Sequence, residues 1–272
     1  MSTIDRGKAK RMGQEAVEII RTGRYTVAAG HTVFIRDDLA KAVGGTVSYP
    51  PDAPLPTFTS GQFDTQFEVT NETTLSAARR LVSGGLNPVA LNFASAKHPG
   101  GGFLGGARAQ EESLCRSSGL YACIVNDAMY RAHAPTRGGF YTNYTIYSPG
   151  VPVFRDDAGG LLAEPYRCAF VTSPAVNAGT YLKDGGRQAD VTREMRHRVD
   201  KVLAVMAGHG HDAAVLGAWG CGVFRNDPEI IADLFYQALA TRFSGAFRRV
   251  VFAVLDWSAE QRFLGPFERR FG

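Results

Sequence analysis

The chain is predicted to be an α/β domain: a largely parallel or mixed sheet flanked by helices, behind an N-terminal helical extension. Three observations predict this. Short apolar runs such as Val89–Phe93, Cys168–Thr172 and Ala213–Leu216 alternate with segments whose apolar residues recur at helical spacing. Two glycine loops each follow an apolar strand and precede a helix; ligands of open α/β sheets bind beyond the carboxyl ends of strands, so both loops should line one cleft. The 272 residues are 44% hydrophobic, with no Pro/Ser-rich linker, charge block or low-complexity stretch, which favours one domain.

In order, Ser2–Arg24 reads as a helix, with Ala16, Ile19 and Ile20 at helical spacing. Tyr25–Ile35 and Phe67–Thr70 alternate like strands, and Asn71–Ser83 places Leu75, Ala78 and Val82 on one helical face. Strand Val89–Phe93 leads into the first glycine loop, and Gln110 opens a helix running to about Tyr130. The stretch Arg131–Glu164, rich in Pro, Gly and Tyr, reads as an irregular insertion. Strand Cys168–Thr172, helix Ala189–Met206 and strand Ala213–Leu216 lead into the second glycine loop. Helix Pro228–Phe243, strand Val250–Leu255 and a terminal helix Ser258–Phe267 follow.

Composition sets limits. The net charge of +4 mildly favours an anionic ligand and is too small to argue nucleic-acid binding. No apolar run approaches a membrane span, and residues 1–20 lack the basic start and apolar stretch of a secretory signal. The four cysteines, Cys115, Cys123, Cys168 and Cys221, are scattered, as expected for free buried thiols in a reducing, cytoplasmic setting.

The most informative segment is His98–Ser113, which sets five glycines beside the adjacent carboxylates Glu111 and Glu112. Glycines allow close backbone approach, and paired carboxylates can work as acid and base on a glycosidic bond. Two glutamates in a helix's first turn are also ordinary dipole chemistry. Gly100–Gly105 matches G-x-G-x-x-G, but the carboxylates stand where a pyrophosphate would dock, which weakens a nicotinamide-dependent oxidoreductase reading.

Gly100-Gly101-Gly102, seven residues, then Gln110-Glu111-Glu112 resembles the signature of poly(ADP-ribose) glycohydrolases. Asn92-Phe-Ala-Ser95, Phe103–Ala109, Tyr147–Phe154 and Gly217–Asn226 resemble the bacterial-type branch, and the resemblance runs from about residue 10 to the end. It implies a macrodomain-like fold for a single domain, with an N-terminal extension over about 1–60 and an ADP-ribose-binding core over about 61–272. It implies hydrolysis of ribose–ribose O-glycosidic bonds with release of ADP-ribose, hence reversal of ADP-ribosylation and a place in the DNA damage response. Neither cofactor nor metal is implied. The implied partners are poly(ADP-ribose), ADP-ribose and poly(ADP-ribosyl)ated proteins, met by a monomer without nucleic-acid or membrane contact.

Carried over by position, Glu112 is the general acid and base, Glu111 holds the ribose and Gln110 positions. Gly100, Gly101 and Gly102 fall in the substrate-binding loop, with Ser95 where animal enzymes have Asn. Gly220, Cys221, Gly222 and Val223 present backbone to the diphosphate, and Phe224 packs on a ribose. A helix N-terminus favours an ionised carboxylate, whereas a proton donor must carry its proton. The ligand's diphosphate is expected to supply that bias by like-charge repulsion.

Thr70, Asn71, Glu72 and Trp257 are candidates for the adenine pocket. His209-x-His211-Asp212 lacks a third ligand for a metal. Arg79-Arg80 and Arg248-Arg249 read as solvated positions, and Asp156-Asp157 as a turn. The principal rival to an enzyme is a macrodomain that binds ADP-ribose without cleaving it, which has no need of an acid.

Overall fold

A computed structural model describes residues 4–272; Ser2 and Thr3 of the expected first helix lie outside the described residues. Helix α1 (Arg6–Thr22) starts where the Asp5 carboxylate accepts the Lys8 N–H at 2.8 Å, and stops at Gly23 in the left-handed region. The expected strand Tyr25–Ile35 is a hairpin, β1 (Arg24–Thr26) and β2 (Thr32–Phe34), turned by Gly30 at φ 86°. Then come α2 (Arg36–Gly44) and β3 (Val47–Tyr49), neither foreseen, followed by β4 (Gln66–Thr70), α3 (Thr74–Ser83) and β5 (Pro88–Phe93).

The helix expected over 110–130 is three: α4 (Gln110–Ser117), α5 (Leu120–Ile124) and α6 (Ala128–His133). The break has a cause, because Ser118 takes extended angles and bridges to Val153. The expected irregular insertion holds β6 (Thr145–Arg155) and the start of β7 (Leu161–Ser173), whose second half contains the expected strand Cys168–Thr172. Pro149 and Gly150 sit at a register shift between Ser148 and Val151, which lets proline stay in a strand without a missing ladder bond. The chain ends with α7 (Ala178–Lys183), α8 (Gln188–Gly208), β8 (Ala213–Leu216), α9 (Pro228–Ala240), β9 (Arg249–Ala253) and α10 (Leu264–Phe271). The final helix thus starts later than expected, after a loop.

Seven strands form one mixed sheet in the order β3-β6-β7-β5-β8-β9-β4. β3, β6 and β7 pair antiparallel, and β7, β5, β8, β9 and β4 run parallel. β5 shows why it is central: Val89 and Leu91 point to one apolar cluster with α8 and α9, and Ala90 to another with α3 and α4. A smaller cluster joins Ala16 and Ile19 of α1 to Tyr25, Ile35 and Phe154. The first 60 residues include β3 at the edge of the main sheet. Because the five strands are parallel, the loops after β4, β5, β8 and β9 all leave from one edge.

Candidate active site

Those loops enclose a cleft of about 460 Å³, within the range of small-molecule sites. Its lining includes Ser95, Gln110, Glu111 and Glu112 from the loop after β5 and the start of α4. Gly220, Gly222, Val223 and Phe224 come from the loop after β8. Both glycine loops therefore face one cavity.

The glutamates are driven inside by the loop that precedes them. Glu111 is 3% exposed and Glu112 9%. Gly101 explains how: its φ is 59°, and a Cβ there would run into the Glu112 carboxylate, so only glycine lets the backbone pass. The Gly102 N–H donates to Glu112 Oε1 at 2.9 Å. Gly100, Gly101 and Gly102 are not among the residues that line the cavity: Gly101 leaves room for the Glu112 carboxylate, Gly102 donates to it, and Gly100 packs against Phe103 and Cys115. The Gly100–Gly105 match to a dinucleotide fingerprint fails structurally, since residues 103–105 form a short 3-10 turn and α4 begins only at Gln110.

The two carboxylates are held differently. Glu111 Oε2 accepts the Ser95 N–H at 2.7 Å, and Oε1 accepts from Asn92 Nδ2 at 3.4 Å. Burial pushes the Glu111 carboxyl up to about 8; the N–H of Ser95 opposes this and the Glu112 charge adds to it. Burial therefore overrides the helix dipole at this position. Glu112 has one oxygen engaged by Gly102, while Oε2 is buried with no hydrogen-bond partner. Gln110 staples the helix start, donating to Leu91 O at 2.7 Å and Thr74 Oγ1 at 3.1 Å and accepting from Phe93 N at 2.9 Å. Ser95 Oγ accepts the His98 N–H at 3.1 Å, so its hydroxyl braces the loop.

The second loop presents unused donors. Among the described residues, no acceptor meets the N–H groups of Gly220, Gly222, Val223 or Phe224, whereas the Cys221 N–H is bonded to Ala218 O at 3.1 Å. Cys221 is also buried and off the cavity wall, which corrects its expected place among the anion contacts. Gly220 sits at φ 75° and a Cβ would lie 2.5 Å from Asn226 Nδ2. Asn226, the end of the Gly217–Asn226 segment and without an assigned role in the sequence, shapes the loop by donating to Val176 O at 2.8 Å and Gly220 O at 3.2 Å. Consecutive free N–H groups at such a turn form an anion nest. Val223 is 83% exposed at its rim, and Phe224 lines the cavity.

Beyond β4 and β9 the wall is Glu72, Thr73, Val254, Leu255 and Phe263. Trp257, an expected stacking residue, is 69% exposed and not part of the lining. The loop it sits on is fixed by Asp256, whose carboxylate accepts from Ser258 N, Phe263 N and Leu264 N. Arg80 is not simply solvated: it pairs with Glu68 and Glu72 at 2.9 Å each. At the opposite edge of the sheet, His209 and His211 are each engaged by a tyrosine, Tyr49 at 2.8 Å and Tyr147 at 2.9 Å.

A family model for the microbial-type PARG catalytic domain matches residues 13–156. The chain belongs to this family. It is 48% identical to poly(ADP-ribose) glycohydrolase from Thermomonospora curvata, with a TM-score of 0.92, over 97% of this chain and 100% of that one. The same enzyme bound to the inhibitor ADP-HPD superposes with a TM-score of 0.90 at 48% identity over the same shares. The Deinococcus radiodurans poly(ADP-ribose) glycohydrolase in complex with ADP-ribose gives 0.79 at 42% identity, covering 85% of this chain and 96% of that one. No curated protein matches. The macrodomain-like mixed sheet expected of a PARG is thus the fold observed.

Proposed function

We propose that this chain hydrolyses the ribose–ribose O-glycosidic bonds of poly(ADP-ribose) and releases ADP-ribose, with Glu112 as general acid and base. One observation carries the assignment: Glu112 Oε2 is buried at the cavity without a partner, while every other carboxylate oxygen of the pair is engaged. Leaving such an atom unpaired costs about 1–3 kcal/mol, a cost that a substrate atom would relieve.

In this reading the distal ribose lies against Ser95, Glu111 and Glu112, and the diphosphate on the free N–H groups at Gly220 and Gly222–Phe224. The adenosine then reaches the wall formed by Glu72, Thr73, Val254, Leu255 and Phe263. Glu112 gives its proton to the glycosidic oxygen as the C–O bond breaks through an oxocarbenium-like transition state. The resulting carboxylate takes a proton from the water that attacks the anomeric carbon, which restores the acid. Glu111, protonated at neutral pH by burial, can both donate to and accept from ribose hydroxyls. The steps use only these side chains and water. The proposal extends to one functional unit acting as a monomer, in the cytoplasm, on poly(ADP-ribosyl)ated proteins.

The test is release of ADP-ribose from the polymer by wild type and Glu112→Gln. Glu112→Gln is expected to lose about 10²–10⁴-fold in rate while still binding ADP-ribose. Wild type that binds polymer without releasing product overturns the proposal in favour of a binding module.

A further inference from the structure

The hairpin β1–β2 presents a surface that the active site does not use. Its register sets Arg24 directly across from Phe34 and Thr26 across from Thr32, while Tyr25 and Val33 turn inward to pack with Ala16 and Ile19 of α1. Successive side chains of a strand point to opposite faces, so Arg24 and Phe34 share the outer one. Phe34 is 70% exposed there. Arg242, Arg248, Arg262 and Arg270 each lie over an aromatic ring, but among the described residues no guanidinium covers Phe34.

Arg21, Thr22, Arg24, Phe34 and Arg36 line an open concavity of about 380 Å³. Its three arginines are not equivalent. Arg21 is committed to Glu18, with Nε on Oε2 at 2.9 Å and Nη2 on Oε1 at 2.5 Å. Arg36 is aimed: its Nη2 donates to Thr22 O at 2.7 Å, and its stem fills the place where a Cβ on Gly23 would fall. Neither Arg24 nor Arg36 has a carboxylate partner among the described residues. Asp37 and Asp38, next in sequence, belong to the first turn of α2, where Asp38 meets Arg167 at 3.3 Å. The hairpin thus offers two unpaired guanidiniums beside one bare ring.

Guanidiniums suit phosphate oxygens through their planar fork, and an aromatic face stacks a base. Two cations to one ring match a repeat with two phosphates and one base, which is the repeat of poly(ADP-ribose); a nucleic acid has one phosphate per base. The small net charge of +4 argues the same way. Helix α1 sets the location. Its first turn abuts the loop that builds the cleft, where Arg6 Nε donates to Gly105 O at 3.2 Å, and its 17 residues carry the chain about 25 Å from there to Gly23.

We propose that the outer face of this hairpin, with Arg24, Phe34 and Arg36, is a second binding surface for poly(ADP-ribose), which holds the chain while its end is cleaved. This rests on the glycohydrolase reading above. A second foothold makes entry of the chain end into the cleft an intramolecular event and raises its effective concentration. It favours long chains over short ones.

The experiment compares wild type with the double variant Arg24→Glu/Phe34→Ala, which changes two exposed side chains and leaves Arg36 in place. Release of ADP-ribose is measured on long polymer and on a two-unit fragment, which leaves a single unit outside the cleft. The variant is expected to raise KM on long polymer about tenfold or more, the scale of one stacked base and a phosphate contact, with kcat and all turnover of the fragment unchanged. A second arm needs no activity: long polymer is titrated onto each protein with the cleft saturated by ADP-ribose, and wild type alone should bind. Equal KM on long polymer, an equal loss on the fragment, or equal binding with the cleft filled overturns the inference and leaves the glycohydrolase reading intact. Tighter binding of single-stranded DNA than of polymer overturns it in favour of a nucleic-acid site. A wild-type dimer that the variant loses, with polymer binding unchanged, overturns it in favour of an interface between copies. No release of ADP-ribose from either substrate by wild type overturns the glycohydrolase reading, while the binding arm still decides the surface.

Discussion

Glu111→Gln should make the protein less sensitive to alkaline pH even as it disables the site. Burial holds the Glu111 carboxyl at about 8 against an ordinary 4.5, and at roughly 1.4 kcal/mol per pH unit that gap is about 5 kcal/mol. The sign follows from proton binding. The native state holds this proton more tightly than the unfolded chain, so the contribution is fully present below pH 4.5 and is lost as pH rises through about 8. Gln carries no titrating proton and should remove that slope. Its absolute stability also changes, because an amide offers a single oxygen where Glu111 accepts from both Ser95 and Asn92. The pH dependence, rather than any one value, is therefore the readout. Urea unfolding between pH 5 and pH 9 should show wild-type stability falling by a few kcal/mol more than that of the variant. Parallel profiles would refute the claim that burial of Glu111 is what raises its carboxyl.

Two further substitutions probe how the cavity is built. Gly101→Ala puts a methyl group against the Glu112 carboxylate at a φ of 59°, and misplacing a catalytic group by about 1 Å costs roughly 10²-fold, so kcat on poly(ADP-ribose) should fall by about that factor. Retained wild-type turnover would show that the close approach does not matter. Asp256→Asn weakens the anchor on the Phe263 and Leu264 N–H groups that holds Phe263 in the cavity wall, and should raise KM about tenfold with kcat within about twofold. A matching fall in kcat would place the effect at the glutamates instead.

The site was legible where chemistry is written in consecutive residues, and illegible where distant segments meet. The Gly100–Gly102 and Gln110–Glu112 pieces lie on one loop and the helix it feeds, so their spacing alone ties them together. What that spacing does not say is that Gly101 is where the backbone passes the Glu112 carboxylate. That becomes visible only from where a Cβ would fall. Cys221 was misplaced for a similar reason: adjacency to glycines suggests a free N–H, and a turn bond to Ala218 consumes it. Of the β6–β7 hairpin only Cys168–Thr172 reads as a strand; β6 does not, because Pro149 and Gly150 signal a break, while a register shift absorbs both within a continuous strand. Nor does an apparent insertion give Asp157 a reason to be near Thr73, 84 positions earlier.

The same geometry explains why so much of the chain outside the motif is committed to holding it. Two carboxylates at one helix start oppose folding by their burial, and among the described residues neither is in an ion pair; Arg116, one turn along the helix, feels the Glu112 charge but donates its hydrogen bonds to Ala107 O and Ser113 Oγ. What keeps them inside is neutral scaffolding: the N–H groups of Ser95 and Gly102, the Asn92 amide, and the Gln110 staple to β5 and α3. Neutral donors orient a carboxyl without fixing it as an ion as firmly as a guanidinium would. Glu111 can then stay protonated, and Glu112 keeps an oxygen free. A guanidinium hydrogen-bonded to either carboxyl would add stability at neutral pH and hold it as an ion, at the expense of the proton chemistry proposed for the cavity.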